Sequence, residues 1–200
     1  MTECLVTGMT NAGKTCFVIN FAEYMGLKEL KIYVRQLAGY TSVTNYTPME
    51  AKKEFVSVES NFTRNIQSVK LEIPSGKSIK ELEIIDSCGL SNGIHPEEEI
   101  RMAMAQTIHL IRKSKLVLHM IDITNINLNG QMLLPLDKMI MEYASMEKNY
   151  VILANKIDLL YAGDNLKILK NHIKDKVIIP ISALYQKGFK EVKKLVLTYV

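Results

Sequence analysis

The stretch ECLVTGMTNAGKTCFV, residues 3–18, constrains this chain more than any other. An apolar run stops at Gly8, and a helix-periodic run starts soon after, with Gly8 to Thr15 between them fitting G-x-x-x-x-G-K-[ST]. A strand must end, the backbone must wrap with its N–H groups turned inward, and a helix must begin at once. That geometry suits phosphate. The glycines let the backbone approach anionic oxygen, and the helix N-terminus adds the positive end of its dipole. Lys14 is placed to bridge β- and γ-phosphates, and the Thr15 hydroxyl to ligate Mg²⁺. The phosphate-binding expectation covers Thr10, Asn11, Ala12, Gly13, Lys14, Thr15 and Cys16.

Beyond this loop the chain repeats the alternation of strand and helix. NIQSVKLEIP (65–74) and KSIKELEIID (77–86) alternate apolar and polar residues around a Ser-Gly pair, which predicts a β-hairpin. Residues 95–114 predict a helix opened by Pro96, with glutamates at its positive end and basic residues at its close. KLVLHMID, YVILANKID and VIIPISA predict buried strands, each followed by a helical pattern. Between residues 27 and 62 the pattern is less regular. KIYVRQ suggests a short strand, and TPMEAKKEFVSV a helix with Thr47 and Glu50 in capping-box positions. Apolar strands separated by helices predict an α/β fold in three layers, a mostly parallel sheet with helices on both faces. Neither a repeat nor a linker interrupts residues 1–200, so one domain is expected.

The base is specified further on. Asn155-Lys156-Ile157-Asp158 follows the strand VILA directly. An aspartate at that strand end can accept from both the ring N–H and the amino group of guanine, whereas adenine would leave the carboxylate unpaired. Asn155 is placed to tie this turn to the phosphate loop, and the Lys156 stem to cover one face of the base. Ser182-Ala183-Leu184, after VIIPI, offers a backbone N–H to the guanine carbonyl. Asp86-Ser87-Cys88-Gly89 closes the strand ELEIID. There Asp86 can hold Mg²⁺ through water and the Gly89 N–H can sense a γ-phosphate.

In the order GxxxxGKT, DxxG, NKxD, SA, the chain resembles the Ras-like superfamily of P-loop GTPases, in the TRAFAC class. Asn11, and Leu90 after Asp-x-x-Gly, resemble the Era/MnmE-like bacterial G domains more than Ras itself. The resemblance implies a six-stranded sheet in which only the strand at 65–73 is antiparallel. It implies a GTP-hydrolysing molecular switch using Mg²⁺, with catalytic contributions from Lys14, Thr63 and Asn11. It also implies a switch threonine on Mg²⁺, for which Thr41, Thr44, Thr47 and Thr63 are candidates. Thr63-Arg64 stands just before the hairpin strand, so Thr63 is preferred, giving Thr15, Thr63 and Asp86 as the metal set. The distance from Lys14 to Thr63 is long for the family, which marks an enlarged first switch at about 27–64 and a candidate partner surface.

One catalytic part is missing. Leu90 occupies the place of the water-orienting glutamine, and His95 reads more readily as the entry to a helix. The resemblance offers another route, in which an asparagine at the Asn11 position helps hold K⁺ beside the phosphates. A GTP-dependent scaffold with negligible hydrolysis is the alternative. A P-loop ATPase or kinase is disfavoured by Asn155 and Asp158. Cys16 and Cys88 read as packing residues. Met132, Met139, Met141 and Met146 read as core filler.

The formal charge of +4 permits an RNA partner without requiring one, and the late lysines read first as a solvated helix face. The expected partners are GTP and GDP, an effector protein or RNA such as a ribosomal assembly, and a nucleotide-dependent second copy. Three cysteines without ligand spacing, and the absence of a long apolar run, predict a cytoplasmic chain without a membrane span.

Overall fold

Eight strands share one mixed sheet in the computed structural model, which describes residues 1–35, 40–56, 65–75, 77–91, 98–126, 132–146 and 149–199. In chain order the elements are β1 (Thr2–Gly8), α1 (Lys14–Tyr24), β2 (Leu30–Arg35), β3 (Thr41–Tyr46), α2 (Pro48–Phe55), β4 (Ile66–Ser75), β5 (Ser78–Asp86) and α3 (Glu98–Lys113), then β6 (Leu116–Asp122), α4 (Pro135–Ala144), β7 (Tyr150–Asn155), α5 (Ala162–His172), β8 (Val177–Pro180) and α6 (Phe189–Leu197). The sheet order is β3-β2-β4-β5-β1-β6-β7-β8.

The five strands β5, β1, β6, β7 and β8 run parallel, as the apolar runs separated by helices predict. Cys4 and Val6 of β1 join the core beneath α1 and α6, while Leu5 joins the one beneath α3, α4 and α5. Phe189 of α6 sits edge-on to Phe17 and Phe21 of α1, with ring centres 5.3 and 5.6 Å apart. A strand buried on both faces needs no alternation, which is why ECLVT reads as a plain apolar run.

The expectation of six strands with one antiparallel member is wrong on both counts. β2 and β3 add a hairpin beyond β4, and the β5–β4, β4–β2 and β2–β3 pairs are all antiparallel. Leu30–Arg35 and Thr41–Tyr46, from the stretch expected to be less regular, therefore extend the sheet. KIYVRQ does contain a strand, and TSVTNY forms another that no sequence pattern announces. From Thr41 to Asn45 every residue of β3 is exposed, so no buried face imposes an apolar alternation on the sequence.

The capping box is present. Glu50 N–H donates to the Thr47 hydroxyl, and Thr47 N–H donates to the Glu50 carboxylate at 2.8 Å. α2 then docks on α1 through buried Ala51 and a Lys52–Glu23 ion pair at 2.8 Å, and Phe55 packs edge-on against Tyr46. The methionine expectation fails in part: Met139 and Met146 lie on the surface, whereas Met132 and Met141 pack against the core. Among the described residues no helix is long and apolar enough to cross a membrane.

Candidate functional site

The loop between β1 and α1 lies at the carboxyl ends of the parallel strands, where open α/β sheets bind ligands. Two of its glycines are required by neighbouring protein atoms. A Cβ on Gly8 (φ 143°) would lie 2.3 Å from the Met120 carbonyl oxygen, and one on Gly13 (φ 93°) 2.5 Å from Asn155 Nδ2. Gly89 is equally constrained, since a Cβ there would come within 2.7 Å of Thr10 Cγ2 and 3.1 Å of Lys14 Nζ. Asp-x-x-Gly thus presses its glycine against the phosphate loop.

The N–H groups of Gly13, Lys14, Thr15 and Cys16 have no partner among the described residues and form the open start of α1. Thr10 and Ala12 differ from expectation, because their N–H groups already donate to Leu90 O at 3.1 Å and Met9 O at 3.3 Å. Leu90 N–H in turn donates to Gly8 O at 3.1 Å, so the segment that follows Asp-x-x-Gly is stitched to the loop. Asn11 sits exposed at the loop tip in a left-handed conformation (φ 61°), and its side chain makes no hydrogen bond among the described residues. The Lys14 ammonium is buried and donates to the carbonyls of Met9 at 2.8 Å and Gly8 at 3.2 Å. Burial lowers its pKa, opposed by the charges of Asp86, Cys88 and Asp137.

Thr15 and Asp86 meet directly, the hydroxyl donating to Asp86 Oδ2 at 2.6 Å. The other carboxylate oxygen, Oδ1, is buried without a partner among the described residues. Burial raises the Asp86 pKa to about 6 against the opposing pull of Lys14 and Thr15. An orphaned carboxylate oxygen beside a hydroxyl is a hard-oxygen donor set that fits Mg²⁺. Thr63 and His95 lie outside the described residues. Thr41 and Thr44 stand on β3, four strands from β1, and Thr47 caps α2 with its hydroxyl bonded to Glu50. Burial pushes the Cys88 thiol to about 11 and raises that of Cys16, as suits packing residues.

The turn after β7 joins three motifs. Asn155, 2% exposed, donates through Nδ2 to Ala12 O at 2.7 Å and accepts from Ala183 N–H at 2.9 Å through Oδ1. The phosphate loop and the Ser-Ala-Leu loop are therefore held by one amide. This engages the Ala183 N–H, so in this structure that group is not free for a base carbonyl. Ser182 is buried and Leu184 is 64% exposed. Lys156 takes a left-handed conformation (φ 69°), and its ammonium reaches Asp122 Oδ2 at 2.6 Å, which fixes the stem. Asp158 is half-buried, and its side chain has no partner among the described residues.

Three supporting residues belong to no motif. Asn20 of α1 donates to the Ala183 carbonyl at 2.7 Å; a lone asparagine within the apolar run CFVINFA is its signal in the sequence. Asp122 holds Lys156 and also accepts from Thr124 N–H at 3.0 Å, but an aspartate after a strand has many ordinary uses. His119 of β6, fully buried, contacts Tyr150 Oη at 2.7 Å and Asp137 Oδ1 at 3.1 Å. A histidine inside LVLHMID hints at it, but its partners come from α4 and β7.

Compared with known proteins, residues 3–156 match the family described as 50S ribosome-binding GTPase. GTPase Obg of Pelagibacter ubique is 29% identical over 163 residues, covering 80% of this chain and 46% of that protein. The chain thus spans about half the length of this curated relative. Era of Aquifex aeolicus, solved with GDP·AlF4⁻, superposes with TM-score 0.69 at 18% identity over 100% of this chain and 57% of that one. Era in complex with MgGDPNP and nucleotides 1506–1542 of 16S ribosomal RNA gives 0.67 at 19% identity, over 99% and 56% of the two chains. The G domain of the T. maritima FeoB iron transporter gives 0.55 at 18% identity, over 100% and 98%. At these identities the superpositions establish a shared fold.

Proposed function

The chain belongs to the 50S ribosome-binding GTPase family, and from that premise we propose that it binds GTP at the carboxyl ends of its parallel strands, hydrolyses it to GDP and phosphate, and acts as a nucleotide-dependent switch. The observation that carries the base assignment is Asn155, which bonds the phosphate loop and the Ser-Ala-Leu loop while Asp158 beside it keeps a carboxylate without a partner among the described residues. A guanine offers that carboxylate two donors.

In this reading the four open N–H groups of residues 13–16 donate to phosphate oxygens, and Lys14 exchanges its loop carbonyls for the β- and γ-phosphates. Lys156 covers the base, with Ser182, Ala183 and Leu184 closing its far side. Thr15 and Asp86 would hold Mg²⁺, with Thr63 completing the set, and the ion would supply neutralisation of the phosphate charge. Gly89 reports the γ-phosphate to the segment that follows it through the Leu90 stitches on Gly8 and Thr10. Leu90 is buried at 3% exposure and has no group to orient water. Asn11, free at the loop tip, is the side chain available to help hold K⁺ where the phosphates lie. The partner reading extends to ribosomal RNA or an effector protein in a cytoplasmic setting.

Phosphate release from GTP and ATP, measured with Mg²⁺ in KCl and in NaCl, tests this. GTP-selective release that is faster in KCl, and loses that difference in Asn11→Ala, is the expected result. Equal turnover of ATP would overturn the base assignment, and equal rates in both salts would remove K⁺. Tight GTP binding without release in either salt would favour the scaffold reading that Leu90 motivates. Asp158→Asn should weaken GTP about a hundredfold and improve xanthosine triphosphate, whose ring carries a carbonyl where guanine has its amino group.

A further inference from the structure

The two edges of the sheet are built differently. β8 has four residues and ends at Pro180, a short edge of the kind that resists further pairing. β3 has six, Thr-Ser-Val-Thr-Asn-Tyr, with neither proline nor charge, and Thr41 to Asn45 are all exposed. One side of β3 pairs with β2 along its full length, and the other has no partner strand among the described residues.

The sheet face beside this edge carries a pattern. Arg35 lies opposite Thr41, Tyr33 opposite Val43 and Lys31 opposite Asn45. Lys70 of β4 places its ammonium 4.6 Å from the Tyr33 ring centre, and Lys31 places its own at 5.8 Å. Lys31, Arg35 and Lys70 are exposed, and none makes an ion pair among the described residues. The acidic groups nearby are already engaged or more distant: Glu83 is buried and accepts from Ser68 Oγ at 2.6 Å, and Glu3 pairs with Lys113 at 3.3 Å. Glu72 and Glu81 face each other further along the β4–β5 ribbon. A cavity of about 310 Å³ on this face is lined in part by Tyr33, Arg35, Thr41, Ser68 and Lys70.

We propose that β3 is a docking edge for an extended segment of a partner protein, added as a ninth strand and carrying carboxylates two residues before and two after an apolar residue. The backbone supplies the ladder and the side-chain rows supply the choice. A strand added at β3 lies about 10 Å from β2, two inter-strand spacings. Lys31 and Arg35 cross that gap over the short Asn45 and Thr41 to meet acidic side chains reaching back. Val43, 45% exposed in the middle of the row, receives the apolar residue. A second copy of this chain fits poorly. Antiparallel β3–β3 pairing across a two-fold axis sets equal faces side by side and doubles the same three cations on one surface. Single-stranded RNA fits less well than a peptide, because Tyr33 is half-buried beneath Lys70 and offers little ring to a base. The proposal uses no group of the nucleotide site and stands apart from the GTP reading.

The test uses the full chain and the labelled peptide GTSETVTESTG, with GTSKTVTKSTG as its charge-reversed counterpart and oligouridine as the RNA probe. Fluorescence anisotropy should show the acidic peptide binding about tenfold more tightly than the basic one. Amide exchange should slow across residues 41–46 when the acidic peptide is bound. Paired Lys31→Glu and Arg35→Glu changes should abolish that preference, and Val43→Lys should weaken binding, with GTP affinity unchanged in each. Equal binding of the two peptides, binding without slowed exchange in β3, oligouridine displacing the peptide, or a peptide-free dimer protected at β3 would each overturn the proposal. The exposed Lys31 and Arg35 variants keep the test decisive if Val43→Lys disturbs the hairpin.

Discussion

The β7–β8 end of the sheet and the β2–β3 end use polar residues in opposite ways. At the first, Asn155 and Ser182 are buried and Asn155 is committed to two loops. At the second, Thr41, Ser42, Thr44 and Asn45 are exposed and their strand is held chiefly by its ladder to β2. A buried amide that leaves partners behind is costly to lose, whereas an exposed hydroxyl returns to water. The first end should therefore tolerate almost no substitution, and the second should tolerate most.

Asn155→Ala is the severest way to sharpen this contrast. It strands the Ala12 carbonyl and the Ala183 N–H, at about 2–5 kcal/mol in denaturant unfolding, and should abolish measurable GTP binding. A cost below about 1 kcal/mol would mean that water replaces the amide and that the two ends differ little. Asp86 should have the next largest effect, read as pH dependence in protein free of nucleotide and metal. Its pKa rises from 3.8 unfolded to about 6 folded, so the folded state holds the proton more tightly. The resulting stability is complete below about pH 4 and is lost as pH rises through about 6, worth up to about 3 kcal/mol. Thermal unfolding between about pH 4 and 7 should show this decline, and Asp86→Asn should flatten it.

At the hairpin end, Thr47→Ala removes the cap of α2 and should cost about 1 kcal/mol, with GTP affinity unchanged. A parallel loss of affinity would show that the two ends are coupled. Lys52→Ala breaks a half-exposed ion pair to Glu23 and should cost only a few tenths of a kcal/mol, less at high salt.

Legibility in the sequence divides along the same line. Gly8, Gly13, Lys14 and Thr15, and Asp86 and Gly89 of Asp-x-x-Gly, are readable because each motif tolerates few residue types at fixed spacing. Asn20, Asp122 and His119 are not, because each works through a partner remote in sequence, at Ala183, Lys156 and Asp137. β3 is hidden because a strand exposed on both faces carries no apolar period. KIYVRQ is visible because Ile32 is buried in the core and Val34 packs against it.

The sequence alone determined the phosphate loop, the Asn155–Asp158 turn, the capping box at Thr47 and the parallel half of the sheet. Each rests on local backbone chemistry or on burial that leaves an apolar signature. The tertiary structure decided that β2 and β3 widen the sheet, that Ala183 N–H turns to Asn155, and that the Thr10 and Ala12 N–H groups are already engaged. Those outcomes depend on which strands and loops become neighbours, and no local pattern records a neighbour far away in the chain.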